Sequence, residues 1–384
     1  MSNTSFSTID MISKIRSSTS LDIMPDSKNR HCILIHEKDT TAAYFSSAPI
    51  YNAFTGKYTV PKFEKCSDDL YSIEGTNCSV YIRGDSILFK TISDTVRVKL
   101  SKSYNWHLCD GELIGECIKL SATTNGVALF KMYEKDENFE VHVIPANLGH
   151  EIRSNSKYFA IMKQKFTPSF SISSICVYDN ERNPHALLMS EALDANADRY
   201  RLTFSSADIK SGEMLFEMNM YEPKLIQDTT VESKRPDENN AYGGSAFIGY
   251  SKDFGEQKLY LKFDYPRFGE LNQKKLMSAK LWMPIIGAYA NINAYAMENR
   301  FCSFGSTWNN RKQHSNFKLK TEVTSNFCWI DLSQIMIGKN EKLIYTNGII
   351  LEASNNTTST GDCLVTATGD SYLFSPILEI KYFS

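Results

Sequence analysis

Short runs of alternating apolar and polar residues, broken by Gly, Asn, Asp or Pro, recur from about residue 32 to the end of the chain. The cleanest is TVRVKL, residues 95–100, where a period of two puts Val96, Val98 and Leu100 on one face and Arg97 and Lys99 on the other. RLTFSS alternates at Leu202 and Phe204, and EMLFEMNMY alternates at Met214, Phe216, Met218 and Met220. Those methionines read as core-facing strand residues, not as a thioether metal site. Turn chemistry separates the runs. Gly84-Asp85 sits between SVYIR and SILFK, Asn125-Gly126 is a type I′ hairpin signal, and Gly56 suits a turn inside TAAYFSSAPIYNAFTGKYTVP. Residues 186–193 are good helix formers, yet their apolar positions share no single face, so strand and turn are expected there. Repeated hairpins without long intervening helices predict antiparallel sheet.

The predicted architecture is all-β: two tandem, mainly antiparallel β-sandwich or jelly-roll domains with short helical turns. Residues 1–30 form a polar leader in which Ser7 and Asp10 are spaced as a capping box and Ile9, Ile12 and Ile15 could line a short helix. An N-terminal β domain is expected over residues 31–223 and a second sandwich over 224–384, with Pro223 and the polar run 227–240 marking the boundary. In the second domain LYLKFD, SAKLWMPI, NGIILEA and ILEIKY read as strands, and Asp331 and Gln334 are spaced to cap one short helical turn.

Charge removes some functions from consideration. The 384 residues carry 42 basic and 44 acidic side chains, a formal net charge of −2, with no basic run of the kind nucleic acid demands. No stretch is long and apolar enough for a transmembrane segment, and the N-terminus shows no secretory apolar core. The nine cysteines are scattered without a C-x-x-C, which suits folding in reducing conditions with most of them as small buried hydrophobes. Cross-linking of exposed thiols in an assembly is the alternative.

No catalytic set is visible: the seven histidines are dispersed, and no nucleophile elbow, P-loop or dinucleotide fingerprint occurs. The chain is therefore expected not to be an enzyme; a polysaccharide-active hydrolase would need two carboxylates converging in one cleft. No cofactor is implied. Calcium is the one metal considered, at Asp228, Asp237 and Asn240, whose hard oxygens suit that ion although their spacing is not an EF-hand. Trp282, Tyr289, Tyr295, Trp308, Asn309 and Asn310 form the list for sugar contact, rings lying against a pyranose while amides take its hydroxyls. Trp282, between Leu281 and Met283, is placed on an outer sheet face, whereas Trp308 and Trp329 are expected to brace the core.

The last 160 residues resemble the DNRLRE family of β-sandwich domains. The resemblance lies in Asp228-Thr-Thr-Val followed by NNAYGGSAFIGY, then LYLKFD, SAKLWM, STWNN, WIDLSQIM with NGIILEA, and the closing SPILEIKY. Arg311 and Lys312 stand where that family usually has a proline, and Gly243-Gly244 replaces a single glycine, so the loop chemistry there departs from the pattern. More loosely, APIYNAFTGKY and YEPKLIQDTTV are similar to segments of clostridial and Rhs-like surface proteins. The resemblance implies a structural or adhesive component of a bacterial cell surface, spore surface or coat, or secreted assembly. Its partners would be copies of itself, other surface or coat proteins, or polysaccharide; a carbohydrate-binding module is the alternative.

Overall fold

The computed structural model describes residues 23–25, 30–52, 60–92, 95–134, 138–145, 152–153, 170–185, 187–194, 199–206, 211–220, 224–241, 243–288, 290–354 and 363–384. The expected leader helix around Ser7 to Ile15, the turn at Gly56, the boundary at Pro223 and the candidate Tyr289 lie outside these residues. The described chain is almost entirely antiparallel β-strand in four sheets with two short helical turns, as the alternation predicts. Only the short pairing of Ile152–Arg153 with Phe170–Tyr178 is parallel among the described strands.

The chain forms two compact units, one of residues 51–222 and one of residues 1–50 together with 223–384. In the first, one sheet runs Leu187–Asp194, Arg199–Ser206, Asn138–Pro145, Thr95–Leu100, Ser86–Lys90, Ser79–Arg83, Leu70–Glu74, Glu64–Ser67. The other runs Ile152–Arg153, Phe170–Tyr178, Ser211–Met220, Gly126–Glu134, Ile118–Thr123, Glu112–Gly115, His107–Cys109. Val96, Val98 and Leu100 point into the core between them, beside Leu129, Met214, Phe216 and Met218, so both stretches of alternation face inward as read. Phe204 and Phe216 stack across that core at 5.5 Å.

The Asn125-Gly126 hairpin differs from expectation. Its turn residues are Thr124 and Asn125, and Gly126 opens the next strand opposite Thr123. The glycine serves close approach, not positive φ: a Cβ there would meet the backbone at Met218 O and lie 2.8 Å from Asn219 Cα. At Gly84, by contrast, φ is 57°, the left-handed value a tight hairpin needs.

In the second unit, one sheet is ordered Ile23–Pro25, Cys32–Glu37, Thr40–Ser46, Ile377–Phe383, Leu276–Pro284, Phe327–Asp331, Thr321–Val323. The facing sheet is ordered His314–Leu319, Ile292–Met297, Ile349–Ala353, Gly255–Phe263, Ser245–Ser251, Cys363–Ala367, with Ile226–Glu232 also on Gly255–Phe263. The hairpin of residues 32–46, which the sequence reading assigns to the N-terminal domain, is hydrogen-bonded into the first of these sheets: Thr40–Ser46 pairs along its whole length with Ile377–Phe383. Phe45, Leu281, Ile330 and Ile380 from that sheet meet Leu259, Leu261, Ile349 and Leu364 from the other in one core.

Two helical turns close this core. Tyr265–Gln273 is a 3-10 helix with a proline at its start; its residues Tyr265, Phe268 and Leu271, spaced by three, line one side of that helix and enter the core. Ser333–Met336 is the expected turn, inserting Leu332 and Met336. Its cap is not the expected Asp331–Gln334 box. Asp331 Oδ1 accepts the Ser333 N–H at 2.9 Å, and Ser333 Oγ accepts the Ala279 N–H at 3.1 Å.

Candidate functional site

Alternation decides which aromatic residues of this unit are presented. Leu281 and Met283 point into the core, so Trp282 points away from it. Cys328 and Ile330 likewise point inward, which turns Phe327, Trp329 and Asp331 outward on the neighbouring strand. Trp282 and Trp329 are direct cross-strand partners with ring centroids 6.4 Å apart, and Phe327 meets the Trp282 ring edge-on at 6.5 Å. Both indoles are half-buried. The ammonium groups of Lys280 and Lys320 lie 5.2 and 5.4 Å from the Trp329 ring centre. Trp282 Nε1 donates to Glu379 Oε2 at 3.1 Å, which fixes the indole plane. Beside it, burial and then the charges of Glu379 and Glu37 push the Tyr44 hydroxyl well above the usual phenol range. Trp329, assigned to the core from sequence, is therefore an outer-face residue; the signal was present in the alternation of FCWID.

The other candidates lie on the outer face of the opposite sheet. Val231, Tyr260, Met297, Phe301 and Ile350 make a small second core there, against which Tyr295 and Trp308 pack. The loop carrying Trp308 is tied down by its neighbours. Asn239 Nδ2 donates to the carbonyls of Ser303 (2.6 Å) and Ser306 (2.7 Å), and Tyr260 Oη donates to Lys312 O at 2.8 Å. Asn309 donates to Asp237 at 2.8 Å and Asn310 to Gly305 O at 2.8 Å, so both amides staple loops. Arg311 lies 4.3 Å from the Trp308 ring centre. Tyr295 stacks on His314 at 4.2 Å, and His314 Nε2 is 3.5 Å from Glu352. The sequence list is thus divided between two faces, Trp282 on one and Tyr295, Trp308, Asn309 and Asn310 on the other.

The three residues considered for calcium are committed to separate partners. Asp237 holds Asn309, and Asn240 Nδ2 donates to Thr230 O at 3.0 Å. Asp228 is wholly buried beside the Lys224 ammonium, 3.8 Å away, and accepts the Gly369 N–H at 2.9 Å. A calcium ion at Asp228 would have to displace that ammonium. Among the described residues no group of three or more His, Cys, Asp or Glu is gathered to hold a metal ion.

Asp228 belongs to a polar stripe on the core side of Ile226–Glu232, with Thr230 and Glu232. Burial pushes the Asp228 carboxyl up, against the pull of Lys224. At Glu232 burial raises the carboxyl to about 8, with Arg235 opposing and Glu238 reinforcing. Among the described residues, neither Asp228 Oδ1 nor Glu232 Oε2 has a hydrogen-bond partner. Lys224 Nζ contacts Asp370 Oδ2 directly and donates to Ala241 O at 2.9 Å. Lys224 and Asp370 were not singled out from sequence, because they are 146 positions apart.

No protein-family model matches the chain, and no curated protein matches its sequence.

Proposed function

We propose that the protein is a non-catalytic adhesive or structural component of a bacterial cell-surface, spore-surface or secreted assembly, and that the outer Trp282–Trp329 face contacts polysaccharide. The observation that carries this reading is the indole pair standing on the solvent side of its sheet. Packing would favour burying two such rings; presenting them offers flat apolar surface to the face of a sugar ring, with Lys280 and Lys320 at hand for hydroxyls. The motif resemblance to DNRLRE domains supports the same class of role. The test is binding of purified protein to a polysaccharide panel by affinity electrophoresis. Binding lost on Trp282→Ala and on Trp329→Ala, with the fold retained, is the expected result. Binding to no polysaccharide, or binding indifferent to both changes, sinks the reading.

A second reading, assembly from copies of the chain, is favoured by a different observation. In the unit of residues 51–222 the strands Glu64–Ser67 and His107–Cys109 each end a sheet, and every residue of both is exposed. Terminal strands of this kind offer free backbone groups for strand addition. Light scattering and electron microscopy decide it: a strictly monomeric species at high concentration counts against assembly.

A further inference from the structure

The most unusual chemistry in the molecule lies inside the sandwich of residues 1–50 and 223–384, away from the aromatic face. Lys224 precedes the strand Ile226–Glu232, and Asp370 lies in the segment that leads to the last strand, Ile377–Phe383. Their side chains are each 6% exposed, and Lys224 Nζ is in direct contact with Asp370 Oδ2. Asp228, 0% exposed, stands 3.8 Å from the same nitrogen. One of its oxygens takes the Gly369 N–H, while among the described residues the buried Oδ1 has no hydrogen-bond partner. Gly369 is required for this approach, since a Cβ there would lie 3.0 Å from Asp228 Oδ2 and meet Ile226 O.

An amine, a carboxyl and a second acid held together out of water are the components of amide condensation. In solvent the first two form an inert ion pair. Burial disfavours both charges, so proton transfer from the ammonium to the carboxylate yields a neutral amine facing a neutral acid. Fixed contact then replaces a bimolecular encounter.

We propose that Lys224 and Asp370 condense to an intramolecular isopeptide bond, with Asp228 as the acid–base group that moves the protons. Lys224 Nζ attacks Asp370 Cγ, forming the new C–N bond, while the Asp228 carboxyl protonates the carbonyl oxygen. The resulting Asp228 carboxylate takes a proton from the nitrogen and passes it to a hydroxyl on Cγ. That C–O bond breaks and the hydroxyl leaves as water. The hydroxyl that remains on Cγ returns its proton to Asp228 as the carbonyl re-forms, so the products are one amide and one water and no oxidant or activated donor is needed. The raised carboxyl of Asp228 suits this shuttle, because it keeps a proton to donate. The bond would tie the entry of one strand to the approach of the last across 146 positions, a cross-link that restricts the unfolded chain. It is independent of the polysaccharide reading, and neither falls with the other.

The test is intact mass of the purified, folded full-length chain, measured under denaturing conditions. A mass short by one water, with a branched peptide joining the Lys224 and Asp370 fragments after proteolysis, is expected; the full sequence mass overturns the proposal, and that measurement needs no variant. Lys224→Arg is expected to restore the full mass. Asp370→Asn should lose ammonia instead of water and end at the same product mass as the unaltered chain. Asp228→Asn, shown folded by circular dichroism, is expected to remain at full mass. Loss of water at an undiminished rate in that variant removes Asp228 from the mechanism.

Discussion

Trp282 and Trp329 face each other across two antiparallel strands, their ring centres 6.4 Å apart, on the side of the sheet turned away from the core. Because neither ring fills the core, truncating Trp329 costs little stability, about 1 kcal/mol from the lost pair contact, and truncating Trp282 costs about 1 kcal/mol more, since its Nε1–H also serves Glu379. Trp282→Ala and Trp329→Ala are therefore expected to melt within a few degrees of the parent while losing at least about tenfold in polysaccharide affinity, a change worth about 1.4 kcal/mol. Differential scanning calorimetry beside affinity electrophoresis separates the two effects. A large drop in melting temperature would assign the pair to packing.

Glu232 gives a pH dependence with a definite sign. Its carboxyl is raised to about 8 in the fold by burial, against about 4.3 in an unfolded chain. Between those values the folded state holds a proton that the unfolded state has released, so this group's contribution to stability falls as pH rises through that window. Below it the contribution is fully present. Glu232→Gln cannot ionise and should gain stability relative to the parent as pH rises from 5 to 8. The check is the difference in melting temperature between variant and parent at each pH; a difference that stays flat refutes the buried-acid account.

What could be read from the chain alone divides by range. The period-two faces at Val96, Val98 and Leu100, and at Met214, Phe216 and Met218, follow from neighbours two apart and point inward as expected. The 3-10 turn of Tyr265, Phe268 and Leu271 was hidden because a period of three over nine residues resembles neither alternation nor a full helical face. The pairing of Thr40–Ser46 with Ile377–Phe383 joins segments over 300 positions apart, which no local pattern encodes. The contact of Lys224 with Asp370 was hidden for the same reason. Trp329 was legible but misassigned to the core: the inward Cys328 and Ile330 on either side already turned it out.

The cysteines divide by burial more evenly than composition implies. Of the eight cysteines whose burial is described, Cys66, Cys109, Cys117 and Cys302 are exposed, whereas Cys32, Cys78, Cys328 and Cys363 are buried. Burial pushes the Cys328 and Cys363 thiols up to about 12, so almost none of either is thiolate at neutral pH. Brief treatment of folded protein with iodoacetamide should alkylate the exposed four and spare the buried four until denaturant is added. Peptide mapping reads the outcome directly, and rapid labelling of Cys363 in the folded state would contradict its burial.

Asn125 is the side chain on which one end of the 51–222 unit depends. Its Oδ1 accepts from Thr76 Oγ1 at 2.5 Å and from the Asn77 N–H at 3.1 Å, and its Nδ2 donates to Met220 O at 3.2 Å. Its backbone carbonyl takes the Met220 N–H at 3.0 Å and the Cys78 thiol at 3.2 Å. The residue is 0% exposed, so water cannot replace these bonds when the side chain is cut back. Asn125→Ala removes these three side-chain hydrogen bonds at once, and a loss of about 3 kcal/mol is expected. Asn125→Asp keeps the acceptor for Thr76 and Asn77 but places an acid where Nδ2 met a carbonyl, so it should be no less damaging. Urea unfolding of the full chain, followed by Trp106 fluorescence in a background lacking the other three tryptophans, reports on this unit. A midpoint unchanged by Asn125→Ala would show that the network is not what holds the loop to the hairpin.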